Sequence, residues 1–196
     1  VPFNMEADSL NAIVLGDDVD PSMPEWEIFI KEIRKEMTVK AGQKCTAIRR
    51  IFVPENKMED AWKAIASSLN QTTIGNPLNE KVRMGSLAGQ GQRMEVKQQV
   101  QKLLASSQII YGSLDSVEVI DADPKKGAFI SPILLKNENP FTSDAVHEIE
   151  VFGPASTIMP YKDQQEAIEL SKKGKGSLCS TIVSADDNIA ADYVVN

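Results

Sequence analysis

Apolar residues recur along this chain at two periods, and the alternation between them predicts its elements. Residues 11–16, NAIVLG, form a short apolar run closed by glycine and predict a buried strand. Ser22 and Glu25 then have capping-box spacing, with Pro24 in the first turn. Trp26, Phe29, Ile30, Ile33 and Met37 follow at helical spacing, with Lys31, Glu32, Arg34 and Lys35 largely opposite, so one helical face packs on a core. That helix is expected to end before Gly42.

The pattern continues with a strand at 47–54, AIRRIFVP, and a helix through Met58, Ala61, Trp62, Ile65 and Leu69. A loop punctuated by glycine and proline follows at 74–88. Residues 91–106 predict a more polar helix with Val96, Val100, Leu103 and Leu104 inward. Short strands are expected in QIIYG (108–112) and VEVI (117–120), and a longer apolar run, interrupted by Pro132, in GAFISPILLK (127–136). A loop through 137–150 leads to a strand in STIMPY (156–161). A helix capped by Asp163 and Glu166 runs through Leu170, and SLCSTIVS (177–184) is the last strand. Strands alternating with helices predict βαβ units, hence a mainly parallel sheet covered on both faces.

Composition narrows the class. With 42% hydrophobic and 25% charged residues over 196 positions, the chain can bury a core and reads as one domain. A net charge of −7 with no basic cluster beyond a pair disfavours a nucleic-acid partner. No apolar run approaches the ~20 residues of a membrane span, and the N-terminus lacks a basic n-region. Two cysteines are too few for a disulfide framework and suit a reducing compartment, so a cytoplasmic location is expected. The chain starts without methionine and stops inside a helical pattern, as a piece of a longer protein would.

Candidate chemistry is limited by what is scarce. One histidine, His147, and two distant cysteines, Cys45 and Cys179, do not make a zinc ligand set. No G-x-S-x-G elbow, G-x-G-x-x-G fingerprint or G-x-x-x-x-G-K-[ST] loop occurs. The remaining nucleophile candidate is a thiol. Cys45 follows Gly42, Gln43 and Lys44 in a loop where backbone can approach a ligand. Cys179 falls in a run that reads as an interior strand and is expected to be a small buried hydrophobe. Local context leaves both readings of Cys45, packing and chemistry, open. His147 reads as a surface or loop histidine, and Arg49 and Arg50 as the charged edge of a strand.

Taken together, several segments resemble the aldehyde dehydrogenase superfamily. GQKC (42–45) is similar to its nucleophile loop, EADSLN (6–11) to its general-base segment, and EVFGP (150–154) to its E-x-F-G-P segment. GNPL…RMGSLA (75–88) and GAFISPILL (127–135) are similar to two further family segments, in the same order over essentially the whole chain. The base segment departs from the usual E-L-G-G, and Glu6 precedes Cys45 by 39 positions, longer than in most of the superfamily. Residues 37–54 and 146–154 further resemble the dehydrogenase part of bifunctional ring-opening enzymes of bacterial phenylacetate degradation, with the semialdehyde dehydrogenases of benzoyl-CoA oxidation as nearest competitor.

The resemblance implies a three-layer αβα catalytic domain spanning 1–196, without the family's Rossmann-like cofactor domain or its oligomerisation segment. It implies Cys45 as nucleophile, Glu6 as general base, Glu150 as a contact to the nicotinamide ribose and Phe152 beside the nicotinamide ring, with no metal. NAD or NADP would be the cofactor, held mostly by the missing domain, and a CoA-linked semialdehyde the favoured substrate. The parent would be a homo-oligomer fused to a hydratase domain, and the piece alone inactive. Two other classes compete: a cysteine esterase or acyltransferase without a redox step, and a non-catalytic interaction domain.

Overall fold

The computed structural model describes Pro2 and residues 9–196. Its strands are β1 (Ala12–Leu15), β2 (Arg50–Pro54), β3 (Gln108–Tyr111), β4 (Ile133–Lys136), β5 (Ala155–Tyr161) and β6 (Ser180–Val183). The helices are α1 (Pro24–Thr38), α2 (Met58–Leu69), α3 (Gln90–Leu103), α4 (Ala145–Glu148), α5 (Gln164–Lys172) and α6 (Asp187–Val195). All six strands join one sheet in the order β3-β4-β5-β2-β1-β6. Only β3 runs antiparallel, against β4; the remaining pairs are parallel.

The period of two along the strands sorts residues into two cores. Ile13, Leu15, Ile51, Val53, Leu134 and Ile158 pack with Phe29, Ile33 and Met37 of α1 and Ala61, Ile65 and Leu69 of α2. The alternate residues Val14, Phe52, Ile133, Leu135, Met159 and Tyr161 pack with Val96 and Val100 of α3, Ile168 and Leu170 of α5, and Tyr193 of α6. Helices thus cover both faces of a mainly parallel sheet, the three-layer α/β architecture expected from the alternation. No described helix is long and apolar enough to cross a membrane.

Several local expectations are corrected. The N-cap of α1 is Met23 rather than Ser22, and its side chain caps nothing. The Asp163 box does form: Asp163 Oδ1 accepts from the Glu166 N–H at 2.9 Å, and Glu166 Oε2 accepts from the Lys162 N–H at 2.9 Å. VEVI contributes only an isolated bridge from Ile120 to Gly75. In GAFISPILLK the strand begins after Pro132, which has no N–H to give a ladder. The segment 137–150 is not all loop, since α4 forms within it.

Arg49 and Arg50 are not a charged edge. β2 lies between β5 and β1, so its side chains meet other layers; Arg49 is 4% and Arg50 1% exposed. Arg50 donates to the carbonyls of Leu10 (2.6 Å), Leu170 (2.7 Å) and Ser171 (2.9 Å), and to Nδ1 of His147 (3.1 Å). Leu170 and Ser171 belong to the last turn of α5, where the helix dipole favours a cation. Among the described residues no carboxylate forms an ion pair with Arg50, and burial pulls its guanidinium down to about 10.

His147 is likewise buried rather than on the surface. Its Nδ1 faces an arginine donor, so the proton sits on Nε2, which donates to the Pro140 carbonyl at 2.8 Å. Burial first, and the neighbouring Arg50 and Lys173 cations as well, push the imidazole down to about 4. The unfolded chain, with an ordinary value of 6.5, therefore binds the proton more readily than the native one. The stability from keeping His147 neutral is complete above about pH 6.5, declines as the pH falls, and is gone below about 4. Its size is on the order of 3 kcal/mol. Urea unfolding across this window should show the chain losing more stability than His147→Asn, whose amide can serve the same two partners without titrating; parallel losses would contradict the assignment.

Candidate functional site

Cys45, Glu150 and Phe152 lie on segments that precede strands. Ser9–Asn11 lead into β1, Cys45–Arg49 into β2, Glu150–Pro154 into β5, and Leu178–Cys179 into β6. β5, β2, β1 and β6 are consecutive neighbours in the sheet and all parallel. Four distant stretches of sequence therefore meet at one edge of the sheet, the edge where those strands begin.

The segment carrying Cys45 is irregular for a stated reason. After α1 the chain makes a turn of 3-10 helix (Val39–Gly42) in which Lys40 (φ 53°), Ala41 (φ 52°) and Gly42 (φ 69°) are all left-handed. Only glycine adopts this region without strain, so Lys40 and Ala41 each cost about 1–2 kcal/mol that the surroundings must offset. At Gly42 space also forbids a side chain: a Cβ there would stand 2.2 Å from the Gly153 carbonyl oxygen. The Cys45 loop thus lies backbone-to-backbone on the segment Glu150–Pro154.

Two buried side chains hold that loop. The fully buried Asn11 carboxamide donates to the carbonyls of Cys45 (2.8 Å) and Ala47 (3.0 Å). Its oxygen accepts from the N–H groups of Leu178 and Cys179, both at 3.0 Å, and from the Ser9 hydroxyl at 2.7 Å. Arg49 donates to the carbonyls of Gly42 (2.8 Å), Lys44 (3.3 Å) and Gly153 (2.8 Å), and its Nε stands 3.3 Å from Glu150 Oε1. Burial lowers the Arg49 pKa, and the Glu150 carboxylate pulls it back up. Lys44, next to Cys45, is held by Glu36 at 2.6 Å.

The predicted site residues are placed as follows. Cys45 is exposed, in the turn after Lys44. The Glu150 carboxylate is 7% exposed and accepts from Arg49 and from the Ser9 N–H (3.2 Å). Phe152 is 36% exposed, with the Arg49 guanidinium carbon 5.6 Å from its ring centroid. Glu6 lies outside the described residues, three positions before Ser9. Cys179 is not buried: it precedes β6, an edge strand with one neighbour, and is exposed. Its Sγ stands 3.6 Å from the Thr46 carbonyl, and burial first, then Glu36, raises its pKa. Asn11 and Arg49 were not singled out as site residues by pattern. Their only sequence signal is position, polar residues bordering apolar runs. Among the described residues no cluster of three or more His, Cys, Asp or Glu could hold a metal ion.

Comparison with known proteins fits this frame. The profile of the aldehyde dehydrogenase family matches residues 1–195, and the chain belongs to that family. It is 39% identical over 194 residues to the 3,4-dehydroadipyl-CoA semialdehyde dehydrogenase of Aromatoleum evansii, covering 99% of this chain and 38% of that protein. It is also 39% identical over 114 residues to Protein MaoC of Klebsiella aerogenes, covering 57% of this chain and 32% of that protein. Among solved structures, a betaine aldehyde dehydrogenase mutant of Staphylococcus aureus, in complex with NAD+ and with a β-mercaptoethanol-modified cysteine, superposes with a TM-score of 0.84. That match has 24% identity and covers 97% of this chain and 37% of that one, and it bears on the fold. The chain thus spans less than two fifths of the length of each of these proteins.

Asn11→Asp isolates the carboxamide. The change keeps the acceptor but turns the donor toward Cys45 and Ala47 into an oxygen facing two carbonyls. A loss of about 2–4 kcal/mol is expected. Denaturant unfolding of the purified chain measures it, and a loss below about 0.5 kcal/mol would contradict the role assigned to Asn11.

Proposed function

We propose that residues 1–196 are the catalytic domain of an NAD(P)-dependent aldehyde dehydrogenase in which Cys45 is the nucleophile. The observation that carries this reading is the packing of the Cys45 loop on the E-x-F-G-P segment: Gly42 lies on Gly153, and Arg49 bridges both to Glu150. A thiol beside a ribose-binding carboxylate and an exposed aromatic ring suits hydride removal at a thiol-bound carbon better than simple acyl hydrolysis.

In this reading the Cys45 thiolate attacks the aldehyde carbon, giving a thiohemiacetal whose oxyanion receives the Cys45 backbone N–H. The bound nicotinamide supplies an acceptor for the hydride that leaves that carbon. A thioester on Cys45 is left, and Glu6 takes a proton from the water that hydrolyses it, releasing the carboxylic acid and the thiolate. Ser9, three residues along the chain from Glu6, bonds Glu150 and Asn11, which supports placing the base at the same sheet edge. Glu150 has one bond on each carboxylate oxygen among the described residues, so each keeps a lone pair for a ribose hydroxyl. The half-exposed Phe152 ring would flank the nicotinamide. Pyrophosphate and adenosine would bind outside this chain, which has no phosphate-cradling glycine motif.

A CoA-linked semialdehyde is the proposed substrate class, supported by 39% identity over 99% of this chain to a relative named for such a substrate. A fused hydratase, a homo-oligomeric parent and a cytoplasmic location complete the proposal.

The parent protein should reduce NAD(P)+ with an aldehyde and lose that activity by at least about 10³-fold in Cys45→Ala. Activity retained in that variant would falsify the nucleophile assignment. Ester or thioester hydrolysis without dinucleotide, also lost in Cys45→Ala, would favour the esterase class instead. The 196-residue chain by itself should produce no NAD(P)H, and steady turnover by it would contradict the division of labour proposed here.

A further inference from the structure

Arg49 makes four polar contacts at the proposed site, and no step of the mechanism uses it. Its guanidinium sits between two segments that the mechanism needs to keep in register. On one side are the carbonyls of Gly42 and Lys44, which frame the loop leading to Cys45. On the other are the Gly153 carbonyl, the Glu150 carboxylate and the face of Phe152. The side chain is 4% exposed, so these contacts are made away from water. A guanidinium is suited to this because its donors lie in a fixed plane and can serve several acceptors at once.

The loop side needs such a clamp. Lys40 and Ala41 are held left-handed against their preference, and a loop so strained relaxes unless its carbonyls are fixed. The cofactor side needs it too. The Glu150 carboxylate, 7% exposed, is costly to bury without a cationic partner, and Arg49 forms its ion pair.

We propose that Arg49 is a positioning residue that couples the nucleophile loop to the nicotinamide-ribose contact: it fixes the Cys45 loop through the Gly42 and Lys44 carbonyls and orients Glu150 through the ion pair. The proposal rests on the dehydrogenase reading for its second half only. The first half concerns the reactivity of a thiol and stands without a cofactor.

The two halves separate by substitution. Arg49→Met removes both functions. Arg49→Lys keeps a cation for Glu150 but lacks the fork that reaches the Gly42, Lys44 and Gly153 carbonyls. Glu150→Gln weakens the ribose contact and leaves the carbonyl contacts in place. Two measurements read them. Iodoacetamide alkylation of Cys45 in the purified chain, with Cys179 in the same molecule as internal reference, reports the loop. Steady-state kinetics of the full-length dehydrogenase report the ribose contact as KM for the dinucleotide.

Arg49→Met should change the Cys45:Cys179 alkylation ratio about fivefold or more and raise the dinucleotide KM about tenfold. Arg49→Lys should change the alkylation ratio similarly while KM stays within about threefold. Glu150→Gln should raise KM with the alkylation ratio within about twofold, and adding Arg49→Met to it should raise KM no further. A purely structural Arg49 gives no such split: additive KM effects, or equal behaviour of the Lys and Met variants in both readouts, would overturn the proposal. If Arg49→Met does not fold, Arg49→Lys decides alone: an altered alkylation ratio with KM preserved supports the coupling, and any other combination refutes it. Full activity in Cys45→Ala would remove the dehydrogenase reading and the KM arm, leaving the alkylation arm to judge the loop.

Discussion

The site depends on the burial of one carboxamide. Asn11 has its side chain out of water, yet each end of its amide is bonded: two carbonyls of the Cys45 loop on nitrogen, and two N–H groups before β6 and the Ser9 hydroxyl on oxygen. Irregular backbone at the edge of a buried sheet has polar groups that no ladder satisfies. A carboxamide presents a donor and an acceptor side within one small planar group, so it can sit among three such segments and satisfy all of them. Without it, the Cys45 and Ala47 carbonyls would lose their side-chain partner, and the loop would be held from the Arg49 side alone.

Adjacent arginines solve two different versions of the same problem. Successive residues at the start of β2 point to opposite sides, so Arg49 meets the site and Arg50 meets α5 and α4. Arg49 has a carboxylate partner. Arg50 has carbonyls, two of them at the negative end of α5, and an imidazole kept neutral by burial first and by the arginine charge as well. One strand start thereby ties the sheet to the site on one side and to the helical layer on the other.

The alternation of apolar residues made the layers legible. Every helix with a clear apolar stripe and every short apolar run bounded by glycine or proline became an element, apart from VEVI, where polar neighbours and a neighbouring loop leave one bridge. Cys45, Glu150 and Phe152 stand out in the sequence because each belongs to a short, recognisable segment, and the fold brings those segments to one edge of the sheet. What pattern could not supply was strand order. Whether β2 is central or peripheral decides whether Arg49 and Arg50 are solvated or buried, and whether β6 is interior or an edge decides the exposure of Cys179. Neither is encoded in local periodicity. The left-handed run at Lys40 and Ala41 is equally silent, since lysine and alanine are ordinary helix formers with no local preference for that conformation.

The position of the site follows from that same order. In open α/β sheets ligands commonly bind beyond the C-terminal ends of the strands. Here the candidate residues lie at the opposite edge, where β5, β2, β1 and β6 begin. At such an edge the residues just before each strand are already fixed by the first ladder bonds, as in the Arg49 and Arg50 N–H groups that both bond the Asn11 carbonyl. Four neighbouring parallel strands therefore deliver four chain segments to one place with little freedom left in any of them. Separating β2 from β5 by one strand, about 5 Å, would move Arg49 beyond reach of Glu150 and Gly153 and would part the thiol loop from the E-x-F-G-P segment. The adjacency of β2 and β5 is thus as much a requirement of the proposed chemistry as any single side chain.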